Sequence, residues 1–183
     1  PVRRGTTQRW RVVNATASRY LSLQLEGHAL TLVGTDGGLL AAPVTGLAEV
    51  LVAPAQRVEL VVTASSAANG RFVLRAGRHA ADNMGMGFYA TEDLLTLATT
   101  AETPVAATAL PATLRSMPAL PVPAARRRFV LTQSGGMMAG NFLINGRGFD
   151  MNRVDLTVPA GQWEAWDFVN DTFMDHPMHV HGT

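Results

Sequence analysis

The 183-residue chain contains no cysteine. A disulfide framework, a zinc–thiolate site and a cysteine nucleophile are therefore excluded within it. Lysine is absent too, since all 15 basic residues are arginine; this bias reads as genome composition rather than function. No apolar run reaches the roughly 18 residues that would cross a bilayer, so no membrane span is expected. No basic-then-apolar leader follows Pro1. No targeting segment is visible, and the true N-terminus is expected upstream. Aromatic residues are sparse, and none interleaves with the one dense basic run, Arg126-Arg127-Arg128. With a net charge of only +1, that run is too short for a nucleic-acid groove and reads as a solvated strand start.

What the chain does have is 47% apolar residues, enough for a real core in one or two packed domains. They fall in short runs broken by Gly, Asn, Asp and Pro, which predicts an all-β fold. Arg9 to Asn14 alternates and stops at a turn. Tyr20 to Leu25 sets Leu21, Leu23 and Leu25 on one face, the period of a half-buried strand. Ala29 to Val33 is a third strand, closed by the turn Asp36-Gly37-Gly38. Val50 to Val52, Val58 to Thr63, Gly70 to Ala76 and Leu94 to Ala98 continue the series, a spacing that fits a sandwich or barrel. From Thr99 to Ala125 the composition turns to Ala, Pro and Thr, the mark of an extended linker. The expected division is a first domain over residues 1–99, with its first strand upstream of Pro1, a linker over 100–125, and the N-terminal part of a second domain over 126–183.

An internal repeat ties the two parts together. Val2, Gly5, Trp10, Val13, Asn14 and Thr16 match Val158, Gly161, Trp166, Val169, Asn170 and Thr172 at one constant offset without a gap. The shared design is a turn glycine, a strand with one buried tryptophan, and a closing asparagine. Asn14-Ala-Thr16 and Asn170-Asp-Thr172 also match the glycosylation sequon. Because they occupy the same repeat position, turn chemistry is the first reading and a glycan the second.

Of five histidines, three crowd into the stretch His176-Pro-Met-His179-Val-His181-Gly. Neutral imidazole suits copper, zinc, iron and nickel alike. On an extended strand His179 and His181 share a face with Cα atoms about 6.5–7 Å apart, which suits two neighbouring ions better than one. His176 lies an odd number of residues away and faces the other side if the strand is regular; Pro177 loosens that regularity. An isolated strand histidine is ordinarily a satisfied core or surface residue, and His28 and His79 are read that way.

This histidine motif resembles the opening copper motif of the third domain of the multicopper oxidases, the three-domain cupredoxin family that includes laccases and bacterial cuprous oxidases. Leu25-Glu-Gly27-His-Ala-Leu-Thr-Leu-Val-Gly-Thr-Asp36-Gly-Gly38 and Val58-Glu-Leu-Val-Val62 resemble the family's middle domain. Asn145-Gly-Arg-Gly-Phe-Asp150-Met-Asn-Arg-Val-Asp155 resembles the start of its third. The resemblance implies tandem cupredoxin-like Greek-key β-sandwich or barrel domains, the second truncated. It implies that His176 ligates the type 1 copper, His179 the type 2 copper and His181 a type 3 copper. The activity implied is oxidation of phenol-like donors or cuprous ion with reduction of dioxygen to water, in the periplasm or outside the cell. No catalytic residue beyond the copper ligands is implied. Shifting the repeat by one residue sets His176, His179 and His181 against Leu21, Gln24 and Glu26, so the first copy keeps the fold without the ligands, as the family's middle domain does.

The family's centre also needs two His-X-His pairs from its first domain and a later His-Cys-His segment, neither of which is in this sequence, so the chain alone is expected to be inactive. Thioether prefers Cu(I), which makes Met174 the first candidate for contact with cuprous substrate, ahead of Met178, Met137, Met138, Met84 and Met86; methionine is also an ordinary gap filler. Asp175 reads as an exposed turn carboxylate. The rival reading is a copper-free cupredoxin-like scaffold akin to bacterial cell-division relatives of the family, against which the three histidines stand. A two-domain copper oxidase or nitrite reductase relative is disfavoured by the ligand-free first copy.

Overall fold

The computed structural model describes residues 1–79, 89–135 and 140–181; Met84, Met86, Met137 and Met138 lie outside these. The described residues are all-β, without a helix, as the run pattern predicts, and they form two compact units that divide between Met117 and Pro118.

The first unit is a two-sheet sandwich. Its strands are β1 (Thr7–Val13), β2 (Leu21–Leu25), β3 (Leu30–Thr35), β4 (Gly38–Leu47), β5 (Val50–Val52), β6 (Arg57–Thr63), β7 (Arg71–Gly77) and β8 (Glu92–Ala98). One sheet runs β1-β6-β3-β4 and the other β5-β2-β7-β8. Alternation fixes which side chains meet between them. Leu23, Leu25, Val52, Leu74 and Ala76 come from one sheet and Leu30, Val58, Leu60 and Val62 from the other, and all are buried in one cluster. β4 carries no alternating pattern that would have announced it. It contains Pro43 and Gly46, lies at a sheet edge, and meets β3 with two register shifts, the setting in which a strand tolerates proline.

Residues 101–117 have no regular strand, yet they are bound to this unit. The Val105 amide donates to the Arg4 carbonyl, the Thr108 amide to the Thr7 hydroxyl and the Leu114 amide to the Ala41 carbonyl, at 2.9, 3.0 and 2.8 Å. The guanidinium groups of Arg3 and Arg4 hold the Thr103 and Glu102 carbonyls.

The second unit is a three-stranded sheet, with β9 (Ala125–Ser134) between β10 (Asn141–Ile144) and β11 (Glu164–Asp171). β10 is antiparallel to β9 and β11 parallel to it. The turn after β10 is built by Asn145 and Gly146, at φ 51° and 75°. The Asn145 carboxamide accepts from the Val130 amide at 2.8 Å and donates to the Arg128 carbonyl at 3.1 Å, tying the turn to β9.

The sequence repeat is a structural repeat. Gly5 and Gly161 share a φ of 75°, a value that disfavours any side chain. Each leads into a strand, β1 or β11, whose tryptophan donates its indole N–H two residues back: Trp10 to Gln8 at 3.1 Å, Trp166 to Glu164 at 2.8 Å. Both tryptophans are half-buried rather than fully buried, because alternation sets them on a sheet face while their polar edge keeps a side-chain partner.

Candidate histidine site

Each repeat strand ends in the same hydrogen-bonded box. In the first copy Asn14 Nδ2 donates to the Arg19 carbonyl at 2.8 Å, and Asn14 Oδ1 accepts from the Thr16 amide and hydroxyl at 3.1 and 2.8 Å. In the second, Asn170 Nδ2 donates to the Met174 carbonyl at 2.6 Å, and Asn170 Oδ1 accepts from the Thr172 amide and hydroxyl at 3.1 and 2.7 Å. These are Asx and ST turns, in which a short polar side chain replaces a backbone partner. The sequon-like residues thus serve as turn chemistry in both copies. The carbonyl captured is Arg19, five residues after Asn14, but Met174, only four after Asn170. The second loop is one residue shorter, which is the register shift that sets His176 against Leu21.

With that register fixed, the two faces of β2 predict the two faces of the histidine segment. Leu21, Leu23 and Leu25 point into the first sandwich and Gln24 and Glu26 away from it. Their counterparts are His176, Met178 and Val180 on one side, and His179 and His181 on the other. The geometry agrees. His176, Met178 and Val180, with Met174, line an apolar groove of about 1040 Å³, together with Phe129, Phe142 and Phe168 from the sheet, and neither His179 nor His181 lines it. His179 and His181 instead sit side by side, ring centroids 4.7 Å apart and planes at 84°. Residues 175–180 run without an assigned ladder, so this division comes from extended-chain alternation alone.

His176 is half-buried and held from two directions. The Thr172 hydroxyl lies 2.8 Å from its Nε2, and the Phe142 ring stands edge-on at 6.1 Å. Neither partner is evident as such in the sequence. Thr172 belongs to the turn box, and Phe142 arrives from β10 through sheet pairing. Asp175 is half-buried, not exposed. Among the described residues, no three His, Cys, Asp or Glu side chains form a group that could hold a metal ion alone.

At the other end of the groove, Arg127 reaches across from β9 to Glu164 on β11 with two parallel bonds of 2.6 and 2.8 Å. Those bonds, and the one from Trp166, bring the Glu164 carboxyl down to about 2, since hydrogen bonds to the charged form favour it. Two of the three arginines of the basic run face carboxylates: Arg127 is committed to Glu164, and Arg126 lies 3.6 Å from Asp167. His28 is structural. Its Nε2 accepts from the Ser65 amide at 3.0 Å, its Nδ1 faces the Glu26 carbonyl at 2.7 Å, and Phe72 packs edge-on against the ring. His79 packs against Tyr20, centroids 5.2 Å apart.

A family model described as multicopper oxidase matches residues 1–93, and a second model of the same description matches residues 122–183. Curated relatives include the cell division protein FtsP of Yersinia pestis, 32% identical over 95% of this chain and 36% of that protein. FtsP of Salmonella typhimurium is 29% identical with the same coverage of 95% and 36%. A multicopper oxidase from Campylobacter jejuni, described as a metallo-oxidase, superposes with a TM-score of 0.80 at 32% identity, over 95% of this chain and 39% of its own. McoA multicopper oxidase from the hyperthermophile Aquifex aeolicus gives 0.78 at 25% identity, over 98% and 41%. The chain spans 36% of the length of these curated relatives. The duplicated β frame, matched by one family description in both of its copies, leads to a single conclusion: the chain belongs to the multicopper oxidase family.

Proposed function

We propose that this chain works within a copper-dependent oxidase that couples one-electron oxidation of a donor, phenol-like or cuprous ion, to reduction of dioxygen to water in the periplasm or outside the cell. The observation that carries this reading is the two-faced histidine segment. His176 takes the place of a core leucine, and His179 and His181 take the places of two exposed polar residues. That is the arrangement one extended strand needs to serve an inner and an outer metal centre.

The donors fit copper as shares of larger sites. His176 would hold the type 1 copper, His179 the type 2 copper and His181 a type 3 copper, with the remaining ligands supplied from outside these 183 residues. Copper, when bound, supplies the one-electron redox chemistry, and imidazole suits it. The chain's own contribution is positional. Phe142, Met178 and Val180 keep apolar surface around His176 and lower the local polarity, a lever on the potential of any metal held there. Met174, in the same groove, offers a thioether to a cuprous substrate.

The test uses the full-length protein loaded with copper. It should carry about four coppers and a strong blue thiolate absorption. His176→Ala should abolish the blue band, while His179→Ala and His181→Ala should lower copper content and leave the band. A second reading is favoured by the names of the curated relatives: a copper-free cupredoxin-like scaffold acting in cell division. A colourless protein with no bound copper would decide for it.

A further inference from the structure

The Thr172 hydroxyl has four polar neighbours: Asn170 Oδ1 at 2.7 Å, His176 Nε2 at 2.8 Å, and the Met174 carbonyl and amide at 3.1 and 3.3 Å. It has one proton to give. The Asn170 carboxamide has a fixed orientation, because its Nδ2 donates to the Met174 carbonyl while its Oδ1 accepts from the Thr172 amide. Turning it over would set N–H against N–H and oxygen against oxygen. Oδ1 therefore carries no hydrogen, and its 2.7 Å approach to the hydroxyl needs the threonine proton between them. With that proton committed, the contact to His176 forms only if Nε2 brings the hydrogen. A neutral imidazole has one N–H, so the ring's lone pair is left on Nδ1.

We infer that Thr172 is a positioning residue that holds His176 in the Nε2–H tautomer and leaves Nδ1 as its metal-ligating atom. The inference rests on His176 being a copper ligand, as proposed above. Metal-ligating histidines take tautomer and ring orientation from such outer hydrogen bonds. Here the outer partner belongs to a turn that exists for another reason. In the first copy the Thr16 hydroxyl makes the same turn bonds, to Asn14 Oδ1 at 2.8 Å and to the Arg19 carbonyl and amide at 2.9 and 3.2 Å. Leu21 stands where His176 would be, so that copy is a box without an imidazole.

The experiment is long-range nitrogen–proton NMR on copper-free, full-length protein with nitrogen-15-labelled histidine, at mildly alkaline pH, with His176 assigned by its loss in His176→Gln. The wild type should show the Nε2–H tautomer. Thr172→Val should lower the tautomer ratio about five- to tenfold, the worth of one neutral hydrogen bond. It should also weaken copper binding at His176 by about tenfold or more, as loss of an outer partner does. Thr172→Ser should keep both properties. Thr16→Val, which removes the same turn bonds from the other copy, should leave both unchanged. An Nδ1–H tautomer in the wild type overturns the inference without any variant having to fold, even if copper binds. An Nε2–H tautomer in a protein that takes up no copper upholds the hold of Thr172 on the ring but overturns the ligand role, and the oxidase reading with it.

Discussion

Replacing Asn14 and Asn170 by alanine in parallel separates what one box does in two surroundings. Asn14 is fully buried, at 0% exposure. Besides its bonds to Arg19 and Thr16, its Nδ2 donates to the Val52 carbonyl at 2.9 Å, which joins the box to β5. Val52 is itself at 0% exposure, and depriving its carbonyl of this interior donor costs about 1–3 kcal/mol. The other lost bonds matter less, since the Arg19 carbonyl keeps the Thr16 hydroxyl at 2.9 Å and Thr16 is exposed; together they add about 1 kcal/mol. Asn14→Ala should therefore destabilise the first unit by about 2–4 kcal/mol. Asn170 is exposed, water can replace its bonds, and Asn170→Ala should cost the second unit about 0.5–1.5 kcal/mol. Urea titration with hydrogen exchange read separately on peptides of each unit measures both losses, as midpoint shifts at constant slope. Equal losses, or a larger one at Asn170, would refute the burial reasoning.

The glycine pair gives a second contrast. Alanine at either Gly5 or Gly161 meets the penalty of positive φ, about 1–2 kcal/mol. Only at Gly5 would the new methyl also collide with the Val105 carbonyl, whereas nothing stands within 4 Å at Gly161. Gly5→Ala should lower the urea midpoint of its unit clearly more than Gly161→Ala does, and should speed hydrogen exchange at the Val105 amide. Glu164 gives a pH signature. Its folded value, about 2, lies below the ordinary 4.5, so its stabilisation is fully present above about 4.5 and is lost as pH falls toward 2. Acid titration of second-unit stability should show this loss, and Glu164→Gln should flatten the profile over that window.

Much of this was legible in the sequence because it is local. Leu21, Leu23 and Leu25 announce β2 by alternation, and the same rule, carried to His176, His179 and His181, anticipates their two faces. The one-residue shift between copies was also readable, although its cause, the capture of a carbonyl four residues on instead of five, is a matter of three-dimensional bonding. β4 was not legible, because an exposed edge strand with a proline and bulges has no buried face to pattern it. β10 is only four residues long and is defined by its pairing with β9. For the same reason the contact of Phe142 with His176 and the clasp of Arg127 on Glu164 leave no mark along the chain.

The alternation of the histidine segment also sets which mutations it can absorb. A side chain exchanged at one position alters one wall of the groove. A single residue inserted between His179 and His181 does something different in kind, because a slip of one place transfers everything beyond it to the opposite face. With the extra residue directly after His179, Val180 would be turned outward and His181 toward the groove, so one outer donor would change sides while His176 and His179 kept theirs. Between the Met174 anchor and His181, then, chain length should be held as strictly as the three histidines themselves.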